Sequence, residues 1–298
     1  MNILLTGGSG FIGKELTNYY INQGHFITSI SRSKPSEFIL HKNVKFISAD
    51  TTIEGKWQDE IDKNEVIINL TGATIFKRWN NDYIQKLIDT RILTTRNIVS
   101  NLTNKTKVLC NASAIGYYGF REDEKITENY THGNDLLSKI CQEWEKEADK
   151  AQKNGTRVVI SRFGVVLGKG GGALKIMLPI FRFCFGGKLG DGKQWFPWIH
   201  IDDLCEAVNF LLLHDNLNGA FNFCSPSPVQ NYQMTKIISN VMKRPALFTV
   251  PAFAMRALLG EVAKALLKGQ RAYPKRLIEE GFEFKYDNIE NAFRNLIN

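Results

Sequence analysis

The chain has no long apolar run. Its most hydrophobic stretch, Ile176 to Phe185, is broken by Pro179 and Arg182 and falls well short of the roughly twenty residues that span a bilayer. No membrane partner is expected. Cysteine is scarce and scattered: Cys110, Cys141, Cys184, Cys205 and Cys224 make an odd number with neither CxxC nor ligand-like spacing. A disulfide framework is excluded, and because His, Asp and Cys nowhere cluster, no metal is expected either. No basic leader or cleavage site precedes the first apolar residues at Ile3, which points to the cytoplasm. Positive charge is present, with a net +8, but Lys and Arg are dispersed rather than gathered in a stripe, so nucleic acid is not the expected partner. An anionic small molecule suits basic pockets as well. Repeats and low-complexity tracts are also missing, which leaves 298 residues, 43% of them apolar, enough for one large or two smaller globular domains.

The chain is organised around its start. Ile3, Leu4 and Leu5 read as a short buried strand, Gly7, Gly10 and Gly13 break it, and Phe11, Ile12, Leu16, Tyr19 and Tyr20 begin a helix. Such a turn aims free backbone N–H groups and the positive end of a helix at one place, which suits a pyrophosphate. Gly7 permits the turn, Gly10 lets a phosphate approach and Gly13 lets helix and strand pack. The spacing is GxxGxxG, and Gly8 lies outside the pattern. Thr6, Gly7, Gly10, Phe11, Ile12 and Gly13 are therefore the first candidate cofactor contacts.

Phe26 to Ile30 predict a second strand, ending in Ser31-Arg32-Ser33. A residue at that strand end faces the adenosine ribose, where an acid would bind the 2′-hydroxyl of NAD. Here no acid stands there, so Ser31 and Arg32 point to the 2′-phosphate of NADP. Val44 to Ile47 make a third strand, followed by Asp50, which can reach the adenine amine. Val66 to Leu70 make a fourth, followed by Leu70-Thr71-Gly72-Ala73, small enough to lie against a cofactor. A helical stripe runs from Asn80 to Leu102 with Asn80 as its cap, and carries Arg91 as a possible pocket residue. Val108 to Ala112 form a fifth strand that leads into Ser113-Ala114-Ile115-Gly116-Tyr117-Tyr118-Gly119, where the active site of a parallel sheet is expected. A helix from Asn134 to Ala151 and a sixth strand from Arg157 to Arg162 complete an alternation that predicts a parallel sheet covered on both faces. Composition then changes, with Gly164, Gly168, Gly170, Gly171 and Gly172 in quick succession. A helix over Ala173 to Phe185, an aromatic loop with Trp195, Phe196, Trp198 and His200, a helix from Leu204 to Leu213 capped by Asp202-Asp203, a strand at Phe221 to Phe223 and a helix from Tyr232 to Met242 follow.

In this order the residues resemble the extended short-chain dehydrogenase/reductases of the sugar-nucleotide epimerase and dehydratase class. The glycine turn, Tyr118-Gly119, Arg162 and Ile199-His200-Ile201-Asp202-Asp203 carry the likeness. More narrowly the chain resembles the atypical branch of YfcH-like epimerase family proteins. That likeness rests on Asn111 to Gly119, Cys141-Gln142-Glu143-Trp144-Glu145, the loop from Gly186 to Trp195 and Ser225-Pro226-Ser227-Pro228-Val229. From about Leu247, with Gly269-Gln270-Arg271 and Pro274, it resembles the small domain of unknown function that ends that branch. The resemblance implies a Rossmann doubly wound parallel α/β sheet over residues 1–165 and a smaller α+β cap over 166–298. Within the cap, about 195–214 packs back on the first domain and 247–298 is the family's C-terminal piece.

It also implies NADP(H) as cofactor, with Arg162 among its contacts, and hydride chemistry on a small, sugar-like substrate. In the parent family that chemistry uses a Tyr-xxx-Lys pair. Here the corresponding helix reads Asp135-Leu136-Leu137-Ser138-Lys139-Ile140-Cys141. One register gives Leu137 with Cys141, the other Asp135 with Lys139, and neither contains tyrosine. Ala114 falls at the family's usual serine, with Ser113 beside it. Ser113, Tyr117 and Cys141 are the candidate catalytic residues, Tyr118 and His200 being further groups that could transfer a proton. Two functions remain open: an NADP(H)-dependent oxidoreductase or isomerase, and a catalytically silent sensor or scaffold that keeps the cofactor site.

Overall fold

The computed structural model describes residues 1–33 and 41–297. The main sheet takes seven strands in chain order: β1 (Asn2–Thr6), β2 (Phe26–Ser31), β3 (Val44–Ser48), β4 (Val66–Asn69), β5 (Val108–Ala114), β6 (Arg157–Phe163) and β7 (Gly219–Phe223). Every neighbouring pair is parallel, and the order is β7-β6-β5-β4-β1-β2-β3. The order reverses between β1 and β4. A crevice opens at such a point because the connections leave in opposite directions.

Side chains alternate across the sheet and define two apolar layers. Ile3 and Leu5 face α1 (Phe11–Asn22), through Leu16 and Tyr20. Leu4, Ile67 and Leu109 face the opposite layer, where α2 (Asn81–Val99) brings Ile98 and α3 (Leu136–Asp149) brings Ala148. Each fully buried Leu or Ile contributes roughly 1.5–3 kcal/mol, so the alternation fixes which face every helix covers. Asn80 caps α2 by accepting the Tyr83 N–H at 2.8 Å, and Asp135 caps α3 by accepting that of Ser138 at 3.1 Å. Loss of either cap costs about 1 kcal/mol.

A division at residue 165 is too simple. After α4 (Gly172–Arg182) the chain returns: α5 (Ile201–Leu213) buries Leu204, Val208 and Leu211 in the same layer as α1, and β7 extends the sheet beyond β6. The return is therefore longer than the expected 195–214. Phe221 and Phe223, both fully buried, supply the reason. A separate core joins α4, α6 (Asn231–Met242) and α10 (Ile289–Ile297) through Phe181, Ile238 and Phe293. Between α6 and α10 lie α7 (Ala252–Leu259), α8 (Val262–Leu267) and α9 (Lys275–Glu279). Among the described residues, no helix is long and apolar enough to cross a membrane, and no three His, Cys, Asp or Glu side chains could hold a metal.

One cap differs from expectation. His200, not Asp202-Asp203, caps α5 by accepting the Asp202 N–H at Nδ1, 3.1 Å away. Asp203 instead accepts the backbone N–H groups of Lys285 and Tyr286 at 2.8 and 3.0 Å, which ties the C-terminal segment to α5.

Candidate functional site

The glycine turn sits at the β1 side of the crevice. Gly7 holds φ +75°, a region that side chains disfavour, and donates to Ile30 O at 2.9 Å. Gly10 precedes α1 without a capping side chain, so the N–H groups of Phe11, Ile12 and Gly13 lack intrahelical acceptors and remain available to an anion. A Cβ on Gly13 would lie 2.5 Å from Gly7 O, which explains the third glycine. Gly8, left outside the pattern, is equally constrained, because a Cβ there would overlap Ser29 Oγ. Phe11 offers its N–H but not its ring. The ring rests where side chains on Gly168 and Gly171 would otherwise be, which accounts for part of the glycine succession after β6, while a Cβ on Gly172, at φ +56°, would meet Val166 O at 2.6 Å.

Thr6 works behind the turn. Its hydroxyl, fully buried, donates to Asn69 Oδ1 at 2.7 Å, and Asn69 Nδ2 donates to Thr95 Oγ1 at 2.9 Å and Asn111 Oδ1 at 2.7 Å. This ladder fixes the ends of β1, β4 and β5 relative to α2. Ser31 accepts the Ser9 N–H at 2.9 Å, so its hydroxyl steadies the turn, while Arg32 is exposed beyond it. Asp50 accepts from the Thr52 hydroxyl and N–H at 2.6 and 3.0 Å; the hydroxyl bond foremost, with the Arg32 charge as a smaller contribution, holds its carboxyl below the usual value. It borders an open groove of about 510 Å³ along Ile47 to Trp57. After β4, Leu70 packs against Gly7, Thr71 leaves a buried Oγ1 without a partner, Gly72 backs onto Arg91, and Ala73 N–H donates to Thr90 Oγ1 at 3.0 Å.

At the end of β5 the register of α3 resolves. A Cβ on Gly116 would lie 3.6 Å from Leu137 Cβ, so Leu137, Cys141 and Glu145 form the stripe that faces the strand ends, and Lys139 is exposed on the other side. Cys141 is buried. Burial first, and the Glu145 charge second, push its thiol up to about 12, so it stays protonated at neutral pH. Ser113 is buried and donates to Glu145 Oε1 at 2.5 Å. Arg162, expected at the cofactor, is engaged elsewhere. It grips Glu145 through Nε at 2.9 Å and Nη2 at 2.7 Å, and donates from Nη1 to Tyr118 OH at 2.8 Å. Tyr118 OH in turn donates to Asn222 Oδ1 at 2.7 Å, and burial pushes this phenol far up.

Tyr117 differs from Tyr118. Half-buried, it lays its ring 3.6 Å from the Arg162 guanidinium, and its hydroxyl has no hydrogen-bond partner among the described residues. His200 caps α5, stacks on Tyr286 at 3.8 Å and is buried, which lowers its pKa. Glu145 is the residue that sequence reasoning passed over. Its signal was a carboxylate two helical turns beyond Leu137 on the same apolar-facing stripe, beside Trp144.

A seven-stranded parallel sheet with a glycine turn at its switch point defines a Rossmann-fold protein of the epimerase architecture. Residues 3–224 match the NAD dependent epimerase/dehydratase family and residues 250–296 match a domain of unknown function (DUF1731); the chain belongs to that epimerase family. The epimerase family protein SDR39U1 homolog of Arabidopsis thaliana, named chloroplastic, is 38% identical over 99% of this chain and 86% of its own length. The epimerase family protein YfhF of Bacillus subtilis is 37% identical over 100% of this chain and 98% of its own. Among solved structures, human epimerase family protein SDR39U1 (isoform 2), crystallised with NADPH, superposes with a TM-score of 0.86 at 29% identity over 99% of both chains.

Proposed function

We propose that this chain binds NADP(H) and acts as an epimerase-like oxidoreductase or isomerase on a small, sugar-like substrate without a Tyr-xxx-Lys pair. One observation carries the cofactor half: the uncapped start of α1 faces the crevice with Arg32, and no carboxylate, at the end of β2. A ribose 2′-phosphate suits that end and a bare 2′-hydroxyl does not. The unpartnered Thr71 hydroxyl and the small residues around it fit a ligand laid against the end of β4. The human relative crystallised with NADPH supports the same choice. A cytoplasmic setting belongs to this proposal.

When bound, the nicotinamide supplies or accepts hydride. Tyr117 is the group for the accompanying proton, since its hydroxyl alone of the Tyr117-Tyr118 pair lacks a partner. Ser113 is turned toward Glu145 and positions the strand end. Arg162 holds the Tyr117 ring from below.

Thermal unfolding with NADP, NADPH, NAD and NADH at matched concentrations tests the binding. A ligand at a hundred times its Kd stabilises by about 2.7 kcal/mol, so NADP(H) should raise Tm well beyond NAD(H). No rise with any dinucleotide would remove the cofactor reading. For turnover, Tyr117→Phe should abolish substrate-dependent NADPH oxidation while the NADPH-induced Tm rise persists.

A second reading, a silent NADP(H) sensor or scaffold, is favoured by a specific observation. Ala114, Leu137 and the protonated Cys141 stand where the family's proton-transfer groups would be. It requires no turnover with any screened carbonyl or sugar nucleotide, together with NADP(H)-dependent recovery of a protein partner.

A further inference from the structure

We infer that Arg91 is the cation that holds the nicotinamide-bearing half of the dinucleotide, an inference that rests on the cofactor reading above. Arg91 projects from α2 into the space between the loop after β4 and α3. Its Nη1 donates to Leu87 O at 2.9 Å and its Nη2 to Ala73 O at 3.0 Å, and its Cζ lies 5.2 Å from the centre of the Trp144 ring. A Cβ on Gly72 would come within 3.1 Å of that guanidinium. A side chain at 72 would press on the guanidinium that lies against it.

Among the described residues the charge has no counter-ion. Arg162 is paired with Glu145 and Arg96 with Glu147, but no carboxylate reaches Arg91 among the described residues. Its acceptors are two neutral carbonyls, and the Cys141 thiol beside it is also neutral. Burial disfavours its charged form, and among the described residues no carboxylate offsets that cost. A guanidinium has five N–H donors, so two carbonyl bonds leave others for oxygens of a ligand.

The sheet order says which part of the ligand. Arg32 and Asp50, at β2 and beyond β3, mark the adenosine end, and the start of α1 beside β1 marks the pyrophosphate. The rest of a dinucleotide laid across the strand ends continues over β4 and β5. Arg91 and Leu70 to Ala73 are there. Ribose hydroxyls and the nearer phosphate are the oxygens it would bind. Unlike a lysine, an arginine holds its charge at every accessible pH.

Titrations of NADPH and of 2′,5′-ADP, which lacks the nicotinamide half, into the wild type, Arg91→Met and Arg91→Gln separate the possibilities. Both variants should lose roughly ten- to a hundredfold in NADPH affinity and keep wild-type affinity for 2′,5′-ADP. Retained 2′,5′-ADP binding also certifies the fold of each variant, and Arg91→Gln keeps a donor for Ala73 should Arg91→Met fail to fold. A folded variant that binds NADPH like the wild type, or loses both probes in equal proportion, overturns the assignment. A wild type that binds neither probe overturns the cofactor reading itself.

Discussion

Glu145→Gln is the substitution whose consequence the structure constrains most closely. Glu145 accepts three hydrogen bonds, from Ser113 Oγ, Arg162 Nε and Arg162 Nη2, and both charged side chains are at least nine-tenths buried. Glutamine keeps the shape and one acceptor oxygen, but its amide places N–H donors against an N–H donor of Arg162. It also leaves that guanidinium buried without an anion. Breaking a buried pair from one side costs about 3–5 kcal/mol, far above the value of an exposed ion pair. With roughly 2–4 °C per kcal/mol for a domain of this size, the midpoint should fall by about 10 °C. Urea or thermal unfolding monitored by circular dichroism reads this directly. The double variant Glu145→Gln/Arg162→Met removes the stranded charge and should be more stable than the sum of the single losses requires. A loss below about 1 kcal/mol for Glu145→Gln, or strict additivity in the double variant, would refute the reasoning.

Further tests address other parts of the chain. Gly8→Ala should destabilise by about 1–3 kcal/mol through overlap with Ser29 Oγ, and Ser29→Ala should restore much of that loss; since Ser29 Oγ has no partner among the described residues, Ser29→Ala alone should unfold near the wild-type midpoint. Burial foremost, with the Asp202 charge adding to it, raises Asp203 to about 6 against the two backbone N–H bonds it accepts. A carboxyl raised in the folded state favours the fold while protonated, so its contribution is full below about pH 4 and is lost as pH rises through about 6. The Tm of Asp203→Asn relative to wild type should therefore climb between pH 4 and 7, and a flat difference would count against the raised carboxyl. Arg157 binds the α5 carbonyls of Leu211 and Leu212 at 3.0 and 3.2 Å and Leu217 O at 2.7 Å; Arg157→Met should lower Tm and speed hydrogen exchange at the end of α5 while the NADPH response persists.

The elements most legible in the sequence were those whose signal is local. Ile3 to Leu5 before a glycine turn, the stripe on α2 and Asn80 as its cap depend on residues a few positions apart, so pattern and structure agree. Arg162 shows where such reading stops. Its place at the end of β6 was clear, but its partner comes from α3, and only the packing of that helix across β5 and β6 brings Glu145 under it. Asp202-Asp203 likewise look like a helix cap, yet the imidazole of His200 caps the helix one step earlier by accepting the Asp202 N–H, and Asp203 is drawn away by a segment some eighty residues later. Gly8 was missed for a related reason: what it must avoid is a hydroxyl on the neighbouring strand, not a neighbour in sequence.

The seat of Phe11 links the two ends of this logic. One aromatic ring at the first turn of α1 fills the volume that side chains at 168 and 171 would claim. Positions 11, 168 and 171 are therefore not three independent sites but one shared space, and a substitution at one constrains the others. A side chain at 171 is tolerable only with a smaller residue at 11, while a smaller residue at 11 alone leaves a void beneath the very N–H groups aimed at the crevice. The loop that opens the smaller core is in this way tied to the turn at the start of the chain.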